Sequence, residues 1–116
     1  MDLTIVRHAV EADDGAKKFP MSFLKRHAAA GRSRLSRDLC DQISASLEAL
    51  GLMTVPMTLP TSENEIVWII QKDSVLGEAI QIASVLVHLD KLNITQSPSQ
   101  LLSNYPKAKE GLSRVL

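Results

Sequence analysis

Between Leu35 and Leu50 the apolar residues fall at Leu35, Leu39, Ile43, Leu47 and Leu50, at spacings of four, four, four and three. That rhythm draws one stripe along an α-helix. Arg37, Asp41, Ser44 and Glu48 take the opposite face. A helix of this kind gains its stability by burying the stripe, so other elements have to cover it. Ser33 or Ser36 can cap its start, Asp38 suits the first turn, and Gly51 supplies a stop. The pattern predicts a helix over about residues 35–50.

The flanking elements follow from similar signals. Leu3-Thr4-Ile5-Val6 is a β-branched run that reads as a strand reaching as far as Val10, and Glu11 to Gly15 reads as a turn. A helix over about residues 20–30 opens near Pro20, carries Met21, Phe23, Leu24, His27 and Ala28, and stops at Gly31. Met53 to Pro60 is extended, with Pro56 barring a central strand position. After the polar tip Thr61 to Glu65, the run Ile66 to Gln71 is the strongest strand signal. A hairpin pairing 53–58 with 65–71 is expected, with a loose tip. Ser74 caps a helix to about Asp90, apolar around nearly its whole circumference and so expected to be buried on several sides. Ser97 to Gln100 has the form of a capping box that starts a short helix over Leu101 and Leu102. Pro106 breaks that helix, and Lys107 to Leu116 adds a last turn or two.

The expected fold class is α+β: a small winged-helix-like domain of helices plus a β-hairpin, with an additional apolar helix and short C-terminal helices. A chain of 116 residues fits one domain, with a core of about 20–71 and a helical extension of about 74–116. Aromatic residues make up 3% of it, which argues against a base-stacking platform. The single cysteine, Cys40, excludes an internal disulfide and a multi-cysteine zinc site, and reads as a small buried apolar residue. His8, His27 and His88 lack helical ligand spacing, so neither a metal nor another cofactor is expected. His88 reads as a partly buried, hydrogen-bonded residue, and Trp68 as a core residue, with an interface anchor as the alternative. The start lacks the features of a signal peptide, and the apolar stretch 79–89 is interrupted by Gln81, Ser84 and His88. The expectation is a cytoplasmic protein with no membrane partner.

Charge is strongly segregated. Lys17, Lys18, Lys25, Arg26, Arg32, Arg34 and Arg37 fall in a window without Asp or Glu, although the chain as a whole holds 13 basic and 13 acidic residues. The stretch Phe23 to Ile70, with Gly31 between two helices and Leu50-Gly51-Leu52 leading into Thr54-Val55-Pro56 and the strand Glu65 to Ile70, resembles the winged helix-turn-helix modules of bacterial regulatory and defence-associated proteins. The resemblance implies that the helix from about Leu35 occupies the recognition position, its N-terminal residues meeting a major groove while the hairpin touches the backbone. Arg32, Arg34 and Arg37 stand at the start of that helix, where the dipole also favours phosphate. Asp38, Asp41 and Glu48 oppose a deep insertion, and Glu63 and Glu65 make the tip acidic. The expected function is non-enzymatic binding of DNA or RNA by the seven basic residues. The alternative is a regulatory or adaptor subunit that docks on a protein partner or forms a homodimer through the apolar helix, at Ile80 and Val87.

Ile5-Val6-Arg7-His8-Ala9, read as the end of a strand, resembles the N-terminal motif of histidine phosphatases. The resemblance implies a phosphate clamp for Arg7 and a phospho-accepting nucleophile for His8. The usual Gly after the histidine is Ala9, and no second Arg and later His occur in matching context. No catalytic residue is expected.

Overall fold

The structure, a computed structural model, describes residues 1–94 and 97–115, with the backbone alone for 112–115. The chain divides into two compact units, Met1–Gln71 and Lys72–Leu116. The first is built from α1 (Thr4–Ala12), β1 (Ala16–Pro20), α2 (Met21–Ala28), α3 (Arg37–Ala49), β2 (Leu52–Val55) and β3 (Ile66–Gln71). The second holds α4 (Val75–Lys91), α5 (Pro98–Leu102) and α6 (Pro106–Val115). The class is α+β. One three-stranded antiparallel sheet in the order β1-β3-β2, packed against α1, α2 and α3, is consistent with a small winged-helix-like domain.

The expected strand at Leu3 to Val6 is a helix. Leu3, Val6 and Val10 recur at spacings of three and four and are all buried, whereas Ile5 is 51% exposed. A strand would place Leu3 on the face opposite Val6 and Val10, but the core needs all three together, which only a helical period delivers. Asp2 starts α1 by accepting hydrogen bonds from the Thr4 hydroxyl (2.6 Å) and the Thr4 amide (2.9 Å). These two bonds, the hydroxyl one first, hold the Asp2 carboxyl below its usual range. The turn after α1 is tight, with Asp14 and Gly15 both at positive φ (61° and 94°).

That turn delivers β1, a strand absent from the sequence reading. Ala-Lys-Lys-Phe-Pro is poor in strand formers. Its strand conformation comes from pairing with β3, from Ala16 opposite Ile70 to Pro20 opposite Ile66. On the other side of β3, β2 pairs from Leu52 opposite Gln71 to Val55 opposite Trp68. The hairpin therefore forms, but β2 ends at Val55, before Pro56 and short of the expected residue 58. The connection from Pro56 to Glu65 is anchored. Leu59 is buried, the Cys40 thiol lies 3.4 Å from the Pro60 carbonyl, and the Met21 and Ser22 amides donate to the Glu65 (2.9 Å) and Glu63 (3.1 Å) carbonyls. These last bonds satisfy amides at the α2 N-terminus that have no partner within the helix.

The core of the first unit joins Leu39, Cys40, Ile43 and Leu47 of α3 to Met21 and Leu24 of α2, Val6 and Val10 of α1, and Val67 and Ile69 of β3. Ser36 caps α3, accepting from the Leu39 amide at 3.0 Å, and Gly51 follows it at φ 78°. Gly51 is the expected stop, and Ser36 is the one of the two expected cap candidates that bonds the Leu39 amide.

In the second unit, Ser74 caps α4 through the Gly77 amide (2.9 Å). Gln100 reaches back to the Ser97 amide (3.1 Å), as a capping box requires. Pro106 opens α6 at a first helical position instead of breaking a helix, and Leu116 lies outside the described residues. α4 is not buried on several sides. Ile82 packs with Leu101 and Ala108, flanked by Val85, Leu86, Leu102 and Tyr105. Two short helices can cover one side only, and Leu76 and Val87 stay 50% and 56% exposed. His88 is exposed as well, not partly buried. A Cβ at Gly111 would stand 2.7 Å from a Val75 methyl, so α6 approaches α4 closely there because glycine is present.

Glu78 is buried, and its carboxylate accepts from the Ala108 amide at 2.7 Å. It caps α6 from a neighbouring helix. Glu78→Ala should cost about 1–3 kcal/mol by leaving that amide unpaired. The loss should appear as a lower urea midpoint together with faster exchange of the Ala108 amide. Unchanged protection at Ala108 would contradict the capping role.

Candidate functional site

The seven predicted cations do not form one face. Lys17 lies at the sheet edge on β1 and pairs with Asp13 at 2.6 Å, while Lys18 is exposed on the outer side of the sheet. Lys25 and Arg26 occupy the last turn of α2. Arg32 and Arg34 lie in the connection to α3, and Arg37 begins α3.

Of these, Lys25, Arg26 and Arg32 come together. After α2 the chain turns through Ala29 to Arg32, closed by the Arg32 amide on the Ala29 carbonyl (3.1 Å) with Gly31 at φ 94°. A positive φ at the third position is the mark of a type II turn and explains glycine there. The turn carries Arg32 back towards α2. An open depression of about 340 Å³ results, lined by Ser22, Lys25, Arg26, Gly31, Arg32 and Glu63 among others.

The cations differ in how firmly they are held. Lys25 is mostly buried and forms an ion pair with Glu63. Arg26 is exposed, its guanidinium 6.0 Å from the centre of the Phe23 ring, which also stacks with His27 at 4.3 Å. Arg32 reaches the Ser36 hydroxyl at 3.5 Å, a weak contact. Arg37 pairs with Asp41 one helical turn on, at 3.2 Å. Arg34 is exposed. The outward face of α3 carries one cation, Arg37, against three exposed acids, Asp38, Asp41 and Glu48.

Two further surfaces are apolar, and the second includes Ile80 and Val87, where self-association was expected. Alternation along β3 buries Val67 and Ile69 and turns Ile66 (59% exposed) and Trp68 (46%) outward. Trp68 is therefore not a core residue. It lies in a cross-strand row between Lys18 and Val55, on the side of the sheet opposite Val67 and Ile69. The run Ile66 to Ile70 is apolar at every position, so its sequence does not say which alternate set faces out. In the second unit, Leu76, Ile80, Ala83 and Val87 recur at spacings of four, three and four, with Leu76, Ala83 and Val87 exposed and Ile80 half-buried.

Arg7 and His8 lie on α1, with Arg7 Nε 3.8 Å from Glu11, and not at the end of a strand. The strand-end premise of the phosphatase motif is thereby removed. Cys40 is fully buried, and burial pushes its thiol pKa up. Among the described residues no helix is long and apolar enough to cross a membrane. No protein-family model, curated protein or solved structure matches the chain.

Two solution measurements check these placements. Trp68, the single tryptophan, should be readily quenched by acrylamide in the native state; quenching that begins only on unfolding would contradict its outward position. Cys40 should react with a thiol reagent at neutral pH only as fast as unfolding exposes it.

Proposed function

We propose that the unit Met1–Gln71 is a non-enzymatic nucleic-acid-binding module of winged helix-turn-helix type, like those of bacterial regulatory and defence-associated proteins, working in the cytoplasm. The observation that carries this reading is the clustering of Arg26, Arg32, Arg34 and Arg37 around the α2–α3 connection, in a chain whose 13 acidic residues all lie outside the stretch from Lys17 to Arg37. In this class of module the junction of the two helices faces the sugar-phosphate backbone. Guanidinium groups suit phosphate oxygens, and each neutralised phosphate releases counterions and adds sequence-independent affinity. The α3 N-terminus adds its dipole to theirs. Asp38, Asp41 and Glu48 keep the middle of α3 away from the phosphates, so the contact is shallow and centred on the arginines.

The test is retention on a polyanion and binding to duplex and single-stranded oligonucleotides over a range of salt. Arg34→Glu combined with Arg37→Glu should abolish salt-sensitive binding and leave the circular dichroism unchanged, because both side chains lie outside the buried stripe. If the unaltered protein shows no salt-sensitive binding to any oligonucleotide, the reading fails.

The stripe Leu76, Ile80, Ala83 and Val87 supports a second reading, self-association. Its alternating spacing is that of a coiled-coil seam, which a second copy of α4 complements. Val87→Glu should then convert a homodimer to a folded monomer by sedimentation. A monomer in the unaltered protein at high concentration would rule the dimer out.

A further inference from the structure

The depression beside α2 already contains an anion, and that anion belongs to the protein. The Glu63 carboxylate pairs with Lys25, whose side chain is only 16% exposed. This pairing is built into the fold. Ser22 donates its amide to the Glu63 carbonyl at 3.1 Å and Met21 donates to Glu65 at 2.9 Å, so the α2 N-terminus fixes the backbone that carries the acid. Three cations, Lys25, Arg26 and Arg32, line the same depression against this one carboxylate. Even with Glu63 in place, an excess of two positive charges surrounds a concavity open to solvent. Ser22 adds a hydroxyl to its lining.

We propose that this depression is a binding site for a single phosphate group, and that Glu63 occupies Lys25 until a phosphate displaces it. A phosphate offers several acceptor oxygens where the carboxylate offers two, so it can bridge Lys25, Arg26 and Arg32 together. Glu63 is 40% exposed and can swing into water when displaced. Lys25, by contrast, would be left mostly buried and unpaired if no anion replaced the acid, which is costly. The exchange is therefore a substitution of one anion for another, and Glu63 sets a threshold that weak anions do not cross. The proposal rests on the nucleic-acid reading for the source of the phosphate, but the site can be tested without it.

The experiment has two arms on the full chain, with native spectra required of each variant. In the first, inorganic pyrophosphate is titrated while the backbone amides of Ser22, Gly31 and Arg32 are followed by NMR. Saturable shifts at these amides are expected. Glu63→Gln should tighten binding about ten-fold and Lys25→Gln should weaken it by about ten-fold or more, the scale of one charged hydrogen bond. Arg32→Gln, exposed and harmless to the fold, should weaken it as well. In the second arm, duplex binding is measured against salt. Lys25→Gln should flatten the slope of log affinity by just under one unit, while Glu63→Gln raises affinity at an unchanged slope. Pyrophosphate binding without duplex binding would keep the site and overturn the nucleic-acid reading. Duplex binding with a slope indifferent to Lys25→Gln, and no saturable pyrophosphate shifts even in Glu63→Gln, would overturn the site and keep the reading.

Discussion

β3 is the strand on which the first unit depends. Its two edges pair with β1 and β2, and its inner residues Val67 and Ile69 form the floor of the core. β1 runs without a break into α2, Pro20 being followed directly by Met21, and β2 is reached from α3 through Gly51. The pairing register on each side of β3 therefore places one end of each helix. A slip of one residue on either side would turn buried side chains outward and carry α2 or α3 with it. Sheet pairing thus places α2 and α3, and the turn from Ala29 to Arg32 sets how near Arg32 comes to Arg26. No contact among the arginines themselves is needed to set it.

This dependence explains what the sequence could and could not disclose. α3 was legible because its signal is internal: five apolar residues at helical spacing, a serine cap and a terminal glycine. β3 and the start of α4 were legible for the same reason. α1 was misread because four β-branched and aliphatic residues in a row outweighed the wider spacing of Leu3, Val6 and Val10. β1 left almost no local trace, since Ala16 to Pro20 is a strand by virtue of its partner, and tertiary context overrides propensity there. The Lys25–Glu63 pair was invisible for a stricter reason. The two residues are far apart in sequence and meet only after the connection from β2 to β3 folds back on α2. Segregation of charge marked the right stretch of chain, but it treated seven cations as one face when Lys17 and Lys18 belong to the sheet.

The outer side of the sheet and the α2–α3 connection are separate surfaces of one unit. Ile66, Trp68, Val55 and Met57 are exposed on or beside the side of β3 opposite Val67 and Ile69, whereas α2 and α3 contribute to the core on the other side. A ligand on the arginines therefore leaves Trp68 in water, and a shift in its emission on adding oligonucleotide would report a contact elsewhere. An exposed tryptophan beside three other large apolar residues is uncommon on a small domain and departs from the charged character of α3. The chain has its apolar and cationic surfaces on different layers because the strand period of two and the helix period of 3.6 sort residues independently.

The cations are also ranked by what each must give up to meet a phosphate. Arg37 shares an exposed i, i+4 pair with Asp41, a kind of contact worth only about 0.3–0.5 kcal/mol, so it is released at little cost. Arg32 gives up a long contact to a hydroxyl. Arg26 gives up little, its guanidinium carbon lying 6.0 Å from the centre of the Phe23 ring. Lys25 is held hardest, because its partner is fixed by the fold and its side chain is largely out of water. On the proposed function, first contact at long range falls to Arg34 and Arg37, with Arg26 close behind, and Lys25 joins only when an anion is already seated. Screening follows the same order. The outlying arginines lose their attraction once the Debye length shrinks to a few ångströms, while a phosphate seated on Lys25 is shielded by protein and loses less.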